Sequence, residues 1–425
     1  MCRQNLEQIY SLSNRLKVLT RNHGTIAVYL PNLDGGGAEK IALTLATGLV
    51  ERGYTVDLVL ASKRGPYLAC VPSRLRIVEL DQVKPMSGWL TVIRAFRFDA
   101  ALALRARIWQ KHSVPKLRAL APLARYLTRD QPAVLMTNMW PGNLLGILAR
   151  RLAGAKCRLI TVEHGTFSQA VNYWPHTQRQ PAFYTLIAQL YEGANARVAV
   201  SDSVADDLAA TTGLRRESIQ TIYNPVVDGD MMEGKNKRPN HRFFEPGEPP
   251  VILAVGRLHP VKDFSTLIDA FIRVRSRHNA RLIILGEGDE RLALTERIAA
   301  SGFEADVDMP GWVDNPLPYM THANVLALTS RYEGLGNVLI EAMACGCPVV
   351  ATDCPGGPRE ILAGGRYGPL VPVGDVQALA DAIVTTFNMP IEEQILKHRA
   401  KDFSVDRSID NYDGLIRSLL ENTTC

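Results

Sequence analysis

What most limits the fold of this chain is a recurrence of short apolar runs rich in β-branched residues, each followed by apolar residues at helical spacing. The first series reads "TIAVYLP" (25–31), "YTVDLVLAS" (54–62), "PAVLMTNM" (132–139), "CRLITVEHG" (157–165) and "ARVAVSD" (196–202). Runs of this kind suit strands covered on both faces, as in parallel sheets wrapped by helices. A polar, Pro-rich break, "NPVVDGDMMEGKNKRPNHRFFEPGEPP" (224–250), precedes a second series: "VILAVGRL" (251–258), "RLIILGEG" (281–288), "NVLALTS" (324–330) and "PVVATD" (348–353). A chain of 425 residues is too long for one ordinary core. The expectation is α/β: two doubly wound, Rossmann-like domains, 1–224 and 225–402, with a linker near 224–250. Ligands of such sheets sit beyond the carboxyl ends of the strands, and two domains facing each other would make a cleft.

Composition narrows the class. Apolar residues make up 46% and charged residues 21%, with no low-complexity run, as in globular proteins. No run reaches the roughly 18 apolar residues that span a bilayer, and the first residues lack the apolar centre of a signal peptide, so the expected location is cytoplasmic. Seven cysteines lack metal-site spacing, and "CGC" at 345–347 is too tight for a CxxC pair. They are expected to be reduced, with Cys345 and Cys347 packed as small apolar groups. A net charge of +5 is too mild to argue for nucleic acid as a partner. Between Arg94 and Arg129, however, nine Lys/Arg face the single acid Asp99, interleaved with Phe, Leu, Ile and Trp. That segment could lie on an anionic membrane surface, putting the protein peripherally on the inner face of the cell membrane. A solvated basic helix pair covering the first domain explains it equally well.

The residues after the strands carry the chemistry. "PNLDGGGAEK" places Gly35, Gly36 and Gly37 at the opening of a helix that Gly53 closes, where backbone N–H groups and the helix dipole favour a phosphate. It is neither GxGxxG nor a P-loop, and a plain tight turn would use the same glycines. "GRLHPVKDF" places Arg257 and Lys262 in one loop, a planar fork and a point charge suited to a diphosphate. "RYEGLGNVLIEAMACG" sets Glu333 in the turn after a strand and Glu341 four residues beyond Asn337, where a carboxylate can accept hydrogen bonds from a diol. An ordinary acidic first turn would also account for Glu341. His164 closes "ITVEHG" at a strand's carboxyl end, where a hydrogen-bonded core histidine is the plainer alternative.

These stretches together resemble the retaining glycosyltransferases of family 4, which have the GT-B fold. "EGLGNVLIEAMACGCPVVATDCPGGPREIL" is similar to the family's glutamate-seven-glutamate motif, and "VGRLHPVKDFSTLIDAF", "ILGEGDE", "GWVDNPLPYM" and "DGGGAEK" resemble the blocks around it. The resemblance is dense over 250–388 and scattered before that. It implies that Glu341 binds ribose hydroxyls and that Glu333 faces the donor sugar. Amides around Leu335, Gly336, Asn337 and Val338 would reach the diphosphate and sugar. Arg257 and Lys262 match the diphosphate-binding cations, Gly36 and Gly37 the glycines that approach the phosphate from the other domain, and Val313 the place where main-chain groups read the base. His164 matches a histidine near donor sugar and acceptor, and "FSVDRSIDNYDGLIRSLL" (403–420) resembles a last helix that crosses back to the first domain. One departure is Leu335-Gly336, where the family commonly has proline or phenylalanine. Gly336 is expected to loosen that loop without loss of function.

The implied function is transfer of a hexose or N-acetylhexosamine, with retention, from a nucleotide-diphosphate sugar, a UDP-sugar first, to a glycan or polyprenyl-linked acceptor in surface polysaccharide or glycoconjugate synthesis. The nucleotide sugar is a co-substrate, and no cofactor is expected. Retention by double displacement would need a carboxylate beneath the anomeric carbon; same-face substitution needs only leaving-group stabilisation and a close acceptor. "DVD" at 306–308 could hold a divalent cation, but it sits before a strand reading towards Trp312, not at a carboxyl end, so no metal is expected. Tyr173 and Trp174, after His164, could stack on an acceptor sugar or anchor a loop. A nucleotide-sugar epimerase of the same fold, or a sugar-nucleotide-binding protein without catalysis, would use the same diphosphate elements. A Rossmann dehydrogenase is disfavoured for want of GxGxxG.

Overall fold

The computed structural model describes residues 24–81, 118–172, 181–232 and 238–421. The chain divides into two compact units after Pro225 and returns to the first at Val405. Tyr173, Trp174 and residues 94–117 lie outside the described residues.

The first unit is built on seven parallel strands: β1 (Thr25–Leu30), β2 (Thr55–Leu60), β3 (Arg76–Glu79), β4 (Val134–Asn138), β5 (Arg158–Glu163), β6 (Ala196–Ala199) and β7 (Ile219–Thr221). Their order is β3-β2-β1-β4-β5-β6-β7, so the direction of winding reverses between β1 and β4. Tyr29 pairs with Thr137 and Thr137 with Thr161, which keeps the ends of β1, β4 and β5 level. Ile26, Val28, Leu30, Leu58, Leu60, Leu135 and Ile160 are fully buried, as expected of strands covered on both faces. The described end of the basic segment forms the helix Leu120–Asp130, whose Leu120, Leu123, Tyr126 and Leu127 are buried. Its Tyr126 hydroxyl donates to the buried Asp57 Oδ2 at 2.6 Å. This part of the segment therefore spends its apolar face on the protein core.

The last helix, Val405–Glu421, belongs to this unit. Arg52 pairs with Asp410 at 2.7 Å, and the Tyr54 hydroxyl donates to Asp413 Oδ1 at 2.6 Å. Gly48 makes the approach possible, since a Cβ there would come within 2.6 Å of Ile409.

The second unit has six parallel strands: β8 (Val251–Val255), β9 (Arg281–Leu285), β10 (Val307–Gly311), β11 (Val325–Leu328), β12 (Val349–Thr352) and β13 (Leu370–Val371), in the order β10-β9-β8-β11-β12-β13. Its core joins Ile252, Ala254, Leu282, Ile284, Val325 and Val350 to Leu267 and Phe271 of the helix Phe264–Arg275 and to Leu379 and Ile383 of the helix Val376–Asn388. The polar break is not a free tether in its described parts. Phe243 and Phe244 are buried, His241 Nε2 lies 2.8 Å from Asp308 Oδ2, and the Val226 and Val227 amides donate to the Phe403 carbonyl. Two aromatics among many polar residues suffice to seat it.

Cys345 and Cys347 are buried thiols. Cys157 and Cys354 are likewise buried free thiols. No described helix is long and apolar enough to cross a membrane.

Candidate functional site

In the second unit β8 and β11 are neighbours, and the strand order reverses between them. That switch point is where an open α/β sheet leaves room for a ligand. The loop after β8 is pinned to the end of β9: the Gly256 amide donates to the Leu285 carbonyl at 2.9 Å and the Leu258 amide to the Glu287 carbonyl at 2.8 Å. Gly286 and Gly288 permit this, because a Cβ on either would come within 1.9 and 2.3 Å of the Gly256 and Leu258 carbonyl oxygens. Arg257, between the two pinned residues, is exposed.

Lys262, further along that loop, meets Glu333 from the loop after β11. Its Nζ donates to Glu333 Oε1 at 2.5 Å, and Ser330 Oγ donates to the same oxygen at 2.6 Å. Both backbones are tied in place: Thr329 Oγ1 donates to the Lys262 carbonyl at 2.7 Å, and the Arg331 amide to the Val261 carbonyl at 2.8 Å. Ser330 and Thr329 were not singled out from the sequence. The signal available was their position as the first polar residues after the apolar run.

The next turn is locked by "PGGP". The Glu333 amide donates to the Pro355 carbonyl and the Gly357 amide to the Gly334 carbonyl, each at 2.9 Å. A Cβ on Gly356 would lie 2.3 Å from the Glu333 carbonyl oxygen, and one on Gly357 would lie 2.4 Å from that of Leu335. Leu335 is buried, and Gly336, with φ 95°, makes the left-handed turn into the helix Asn337–Ala344. The expected loosening at Gly336 is therefore corrected: glycine supplies a conformation that other residues adopt only with strain. Asn337 and Val338 open the helix, half-buried, and Glu341 lies half-buried in its second turn. Val313, half-buried, follows β10 beside the exposed Trp312. A cation, an exposed guanidinium, a carboxylate and a helix N-terminus at a switch point form a set suited to an anionic, hydroxyl-rich ligand.

The "DVD" stretch does other work. Asp306 bonds Arg275 at 2.7 Å and also pairs with Arg281, while Asp308 lies within β10 and faces His241.

In the first unit Gly36, with extended backbone, precedes the helix Gly37–Glu51. A Cβ on Gly36 would fall on the Glu39 carboxylate, so this acid of the first turn lies over the glycine expected to meet a phosphate. His164 follows β5, half-buried, with Nε2 2.9 Å from Asn138 Oδ1. Burial pushes its imidazole down to about 4, so the ring is neutral near pH 7. Behind it the Glu163 carboxylate is buried, taking hydrogen bonds from the Tyr191 hydroxyl and, at 2.7 Å, from Asn143 Nδ2. Burial outweighs these bonds and pushes Glu163 up to about 7. This network, completed by Thr137 Oγ1 to Asn143 Oδ1 at 2.9 Å, fixes the ends of β4 and β5.

Two doubly wound parallel-sheet domains, each with polar groups after its central strands, set the architecture, and comparison with known proteins gives the class. Residues 35–228 match the family described as Glycosyltransferase Family 4, and residues 249–388 match Glycosyl transferases group 1. The lipopolysaccharide core biosynthesis glycosyltransferase LpsE of Rhizobium meliloti (strain 1021) is 36% identical over 348 residues, 82% of this chain and 84% of its own length. The N-acetylgalactosamine-N,N'-diacetylbacillosaminyl-diphospho-undecaprenol 4-alpha-N-acetylgalactosaminyltransferase of Campylobacter jejuni subsp. jejuni serotype O:2 is 28% identical over 379 residues, 88% of this chain and 93% of its own. Among solved structures, Anabaena HepE in complex with UDP-glucose aligns with a TM-score of 0.72 at 19% identity, covering 94% of this chain and 100% of its own. The lipopolysaccharide outer core galactosyltransferase WaaB aligns with a TM-score of 0.67 at 18% identity, covering 93% and 99%. The fold is GT-B. The chain belongs to glycosyltransferase family 4 and is a glycosyltransferase.

Proposed function

We propose that this glycosyltransferase moves a hexose or N-acetylhexosamine, with retention and without a metal, from a UDP-sugar to a glycan or polyprenyl-linked acceptor in surface-glycan synthesis. The observation that carries the reading is the Lys262 Nζ to Glu333 Oε1 contact of 2.5 Å at the switch point of the second sheet. When the donor enters, Lys262 exchanges the carboxylate for the diphosphate, and Glu333, still held by Ser330, turns its acceptor capacity to the sugar hydroxyls. Arg257 and the N-terminus of the helix Asn337–Ala344 take further charge of the leaving group. Glu341 holds the ribose and Val313 lies against the base; in the first domain, His164 and the Gly36–Gly37 amides are the groups that the family resemblance assigns to the sugar and the phosphate.

In the reaction the anomeric C–O bond to the diphosphate breaks and its electron pair leaves with the nucleoside diphosphate. An acceptor hydroxyl bonds to the same face of the sugar and passes its proton to the departing phosphate oxygen. This path asks for leaving-group stabilisation more than for a nucleophile beneath the sugar. Supporting metal independence, Asp306 is engaged by Arg275 and Arg281, and Asp308 by His241. Support for the acceptor class comes from the names of the Rhizobium and Campylobacter relatives, and support for UDP from the HepE complex. A lipid-linked acceptor would place the enzyme at the cytoplasmic face of the membrane, with residues 94–117 of the basic segment as the candidate contact.

The test is a panel of nucleoside diphosphates and their sugars, read by the rise in melting temperature, followed by transfer assays with and without EDTA. UDP-sugars are expected to stabilise the protein and transfer to survive the chelator. Stabilisation by GDP- or ADP-sugars alone, or activity lost to EDTA and restored by Mn²⁺, would overturn the reading. Flotation with anionic vesicles tests the membrane contact, and absence of binding would remove it.

A further inference from the structure

Asn138 ends β4 and His164 follows β5, on neighbouring parallel strands in which Asn138 pairs with Val162. His164 Nε2 lies 2.9 Å from Asn138 Oδ1. The rest of the amide is committed: Asn138 Nδ2 donates to the Tyr29 carbonyl of β1 at 3.2 Å, and the residue is buried. Only the amide nitrogen can serve a carbonyl, so the amide oxygen must be the atom that meets the ring. An amide oxygen only accepts. Nε2 must therefore carry the ring proton, and in a neutral imidazole Nδ1 is then a bare acceptor.

The backbone beside Asn138 is held in a conformation that side chains avoid. Met139 has φ 64° and ψ 143°, a region costly for any residue but glycine, and such positions gather where function over-determines the chain. The Met139 amide donates to the Val162 carbonyl at 2.9 Å, and its carbonyl accepts from the Asn143 amide at 2.9 Å. Asn143 Nδ2 in turn donates to the Val162 carbonyl at 3.1 Å as well as to Glu163. Strand end, strained residue and buried network together hold Asn138 against His164.

We propose that Asn138 is a positioning residue that locks His164 as the Nε2–H tautomer, leaving Nδ1 to accept a hydrogen bond from a sugar hydroxyl. The substrate half of this proposal rests on the reading of His164 as the histidine against the donor sugar. A ring so locked discriminates by chemistry: it pairs with a hydroxyl and has no proton to offer a phosphate or carboxylate.

The experiment uses the full chain labelled with ¹⁵N-histidine, the His164 signals being assigned by their loss in His164→Gln. In the wild type the proton is expected on Nε2, protected from exchange, with the ring neutral from pH 5.5 to 8. Asn138→Leu should lose that protection. Asn138→Asp sets a carboxylate against the same N–H and should raise the midpoint of ring titration by roughly 2 pH units, into the range examined. The neighbouring acid Glu163, bonded to Tyr191 and Asn143 and pushed by burial up to about 7, is common to all of these proteins, so its titration cancels in the comparison between them. A wild-type proton on Nδ1, or an unchanged titration in Asn138→Asp, would overturn the lock, and the wild-type spectrum decides alone if a variant fails to fold. None of these readouts needs a sugar nucleotide. An intact lock with full turnover in His164→Gln would instead overturn the placement of His164 at the sugar.

Discussion

Glu163 and His164 are consecutive residues with opposite titration behaviour, and single substitutions should separate them. Burial lifts the Glu163 carboxyl from 4.5 to about 7 and lowers the His164 ring from 6.5 to about 4. For Glu163 the folded state keeps a proton that the unfolded state has lost. The stability given by its neutral form is therefore complete below pH 4.5 and is lost as pH rises through 7. For His164 it is the unfolded state that binds the extra proton, so its contribution is complete above pH 6.5 and is lost as pH falls through 4. At ~1.4 kcal/mol per pH unit of difference, Glu163 contributes ~3 kcal/mol, and the half-buried His164 up to that much. In the wild type the two slopes oppose each other between pH 4.5 and 6.5 and leave little net dependence. Glu163→Gln keeps an acceptor for Tyr191 and Asn143 and removes one slope. Its unfolding temperature, compared with the wild type, should gain on the order of 5–10 °C between pH 4.5 and 7.5 for a unit of this size. His164→Gln should shift the other way. Curves for wild type and Glu163→Gln that run parallel across this range would refute the reasoning.

Other variants probe the architecture. Gly357→Ala puts a Cβ 2.4 Å from the Leu335 carbonyl oxygen and 2.7 Å from its Cα, both backbone atoms. The loop must shift, so stability should fall by ~1–3 kcal/mol and turnover by more than stability explains; wild-type turnover would show that the loop geometry is not needed. Arg257→Ala removes an exposed guanidinium and should weaken UDP binding about tenfold or more in calorimetry, with no change in the melting temperature without nucleotide. Asp413→Ala strips partners from Tyr54 and Arg417 and should destabilise the first unit by ~2 kcal/mol in thermal unfolding. No loss there would mean that the Tyr54–Asp413 bond does not help to hold the last helix.

The sequence disclosed the central strands because each is buried on both faces and reads as an unbroken apolar run. It hid those at the margins. β3, "RIVE", β7, "IQT", and β13, "LV", are edge strands, short and mixed in polarity, since an edge has one neighbour to satisfy. β10, also an edge, begins at Val307 and takes in Asp308, earlier than "FEADVDMPGWV" suggested. Within the candidate site, Arg257, Lys262, Glu333 and Glu341 could be picked from the sequence because they follow strands and resemble a known motif. Ser330 and Asn138 could not, because a hydrogen bond from a strand end to a neighbouring loop depends on strand order, which no local pattern encodes. The glycines of "PGGP" were visible as a turn, but the carbonyls they make room for lie about twenty residues earlier in the chain.

The central claim is a division of labour in which Glu333 serves the sugar and Glu341 the nucleotide. It is tested most directly by measuring UDP affinity and single-turnover transfer in Glu333→Gln and Glu341→Gln. Glu333→Gln, which keeps an acceptor for Ser330 but no longer competes as a charge for Lys262, should bind UDP at least as tightly as the wild type and transfer on the order of 10²-fold more slowly. Glu341→Gln should lose UDP affinity first. A Glu333→Gln variant that binds UDP poorly and turns over normally would contradict the account.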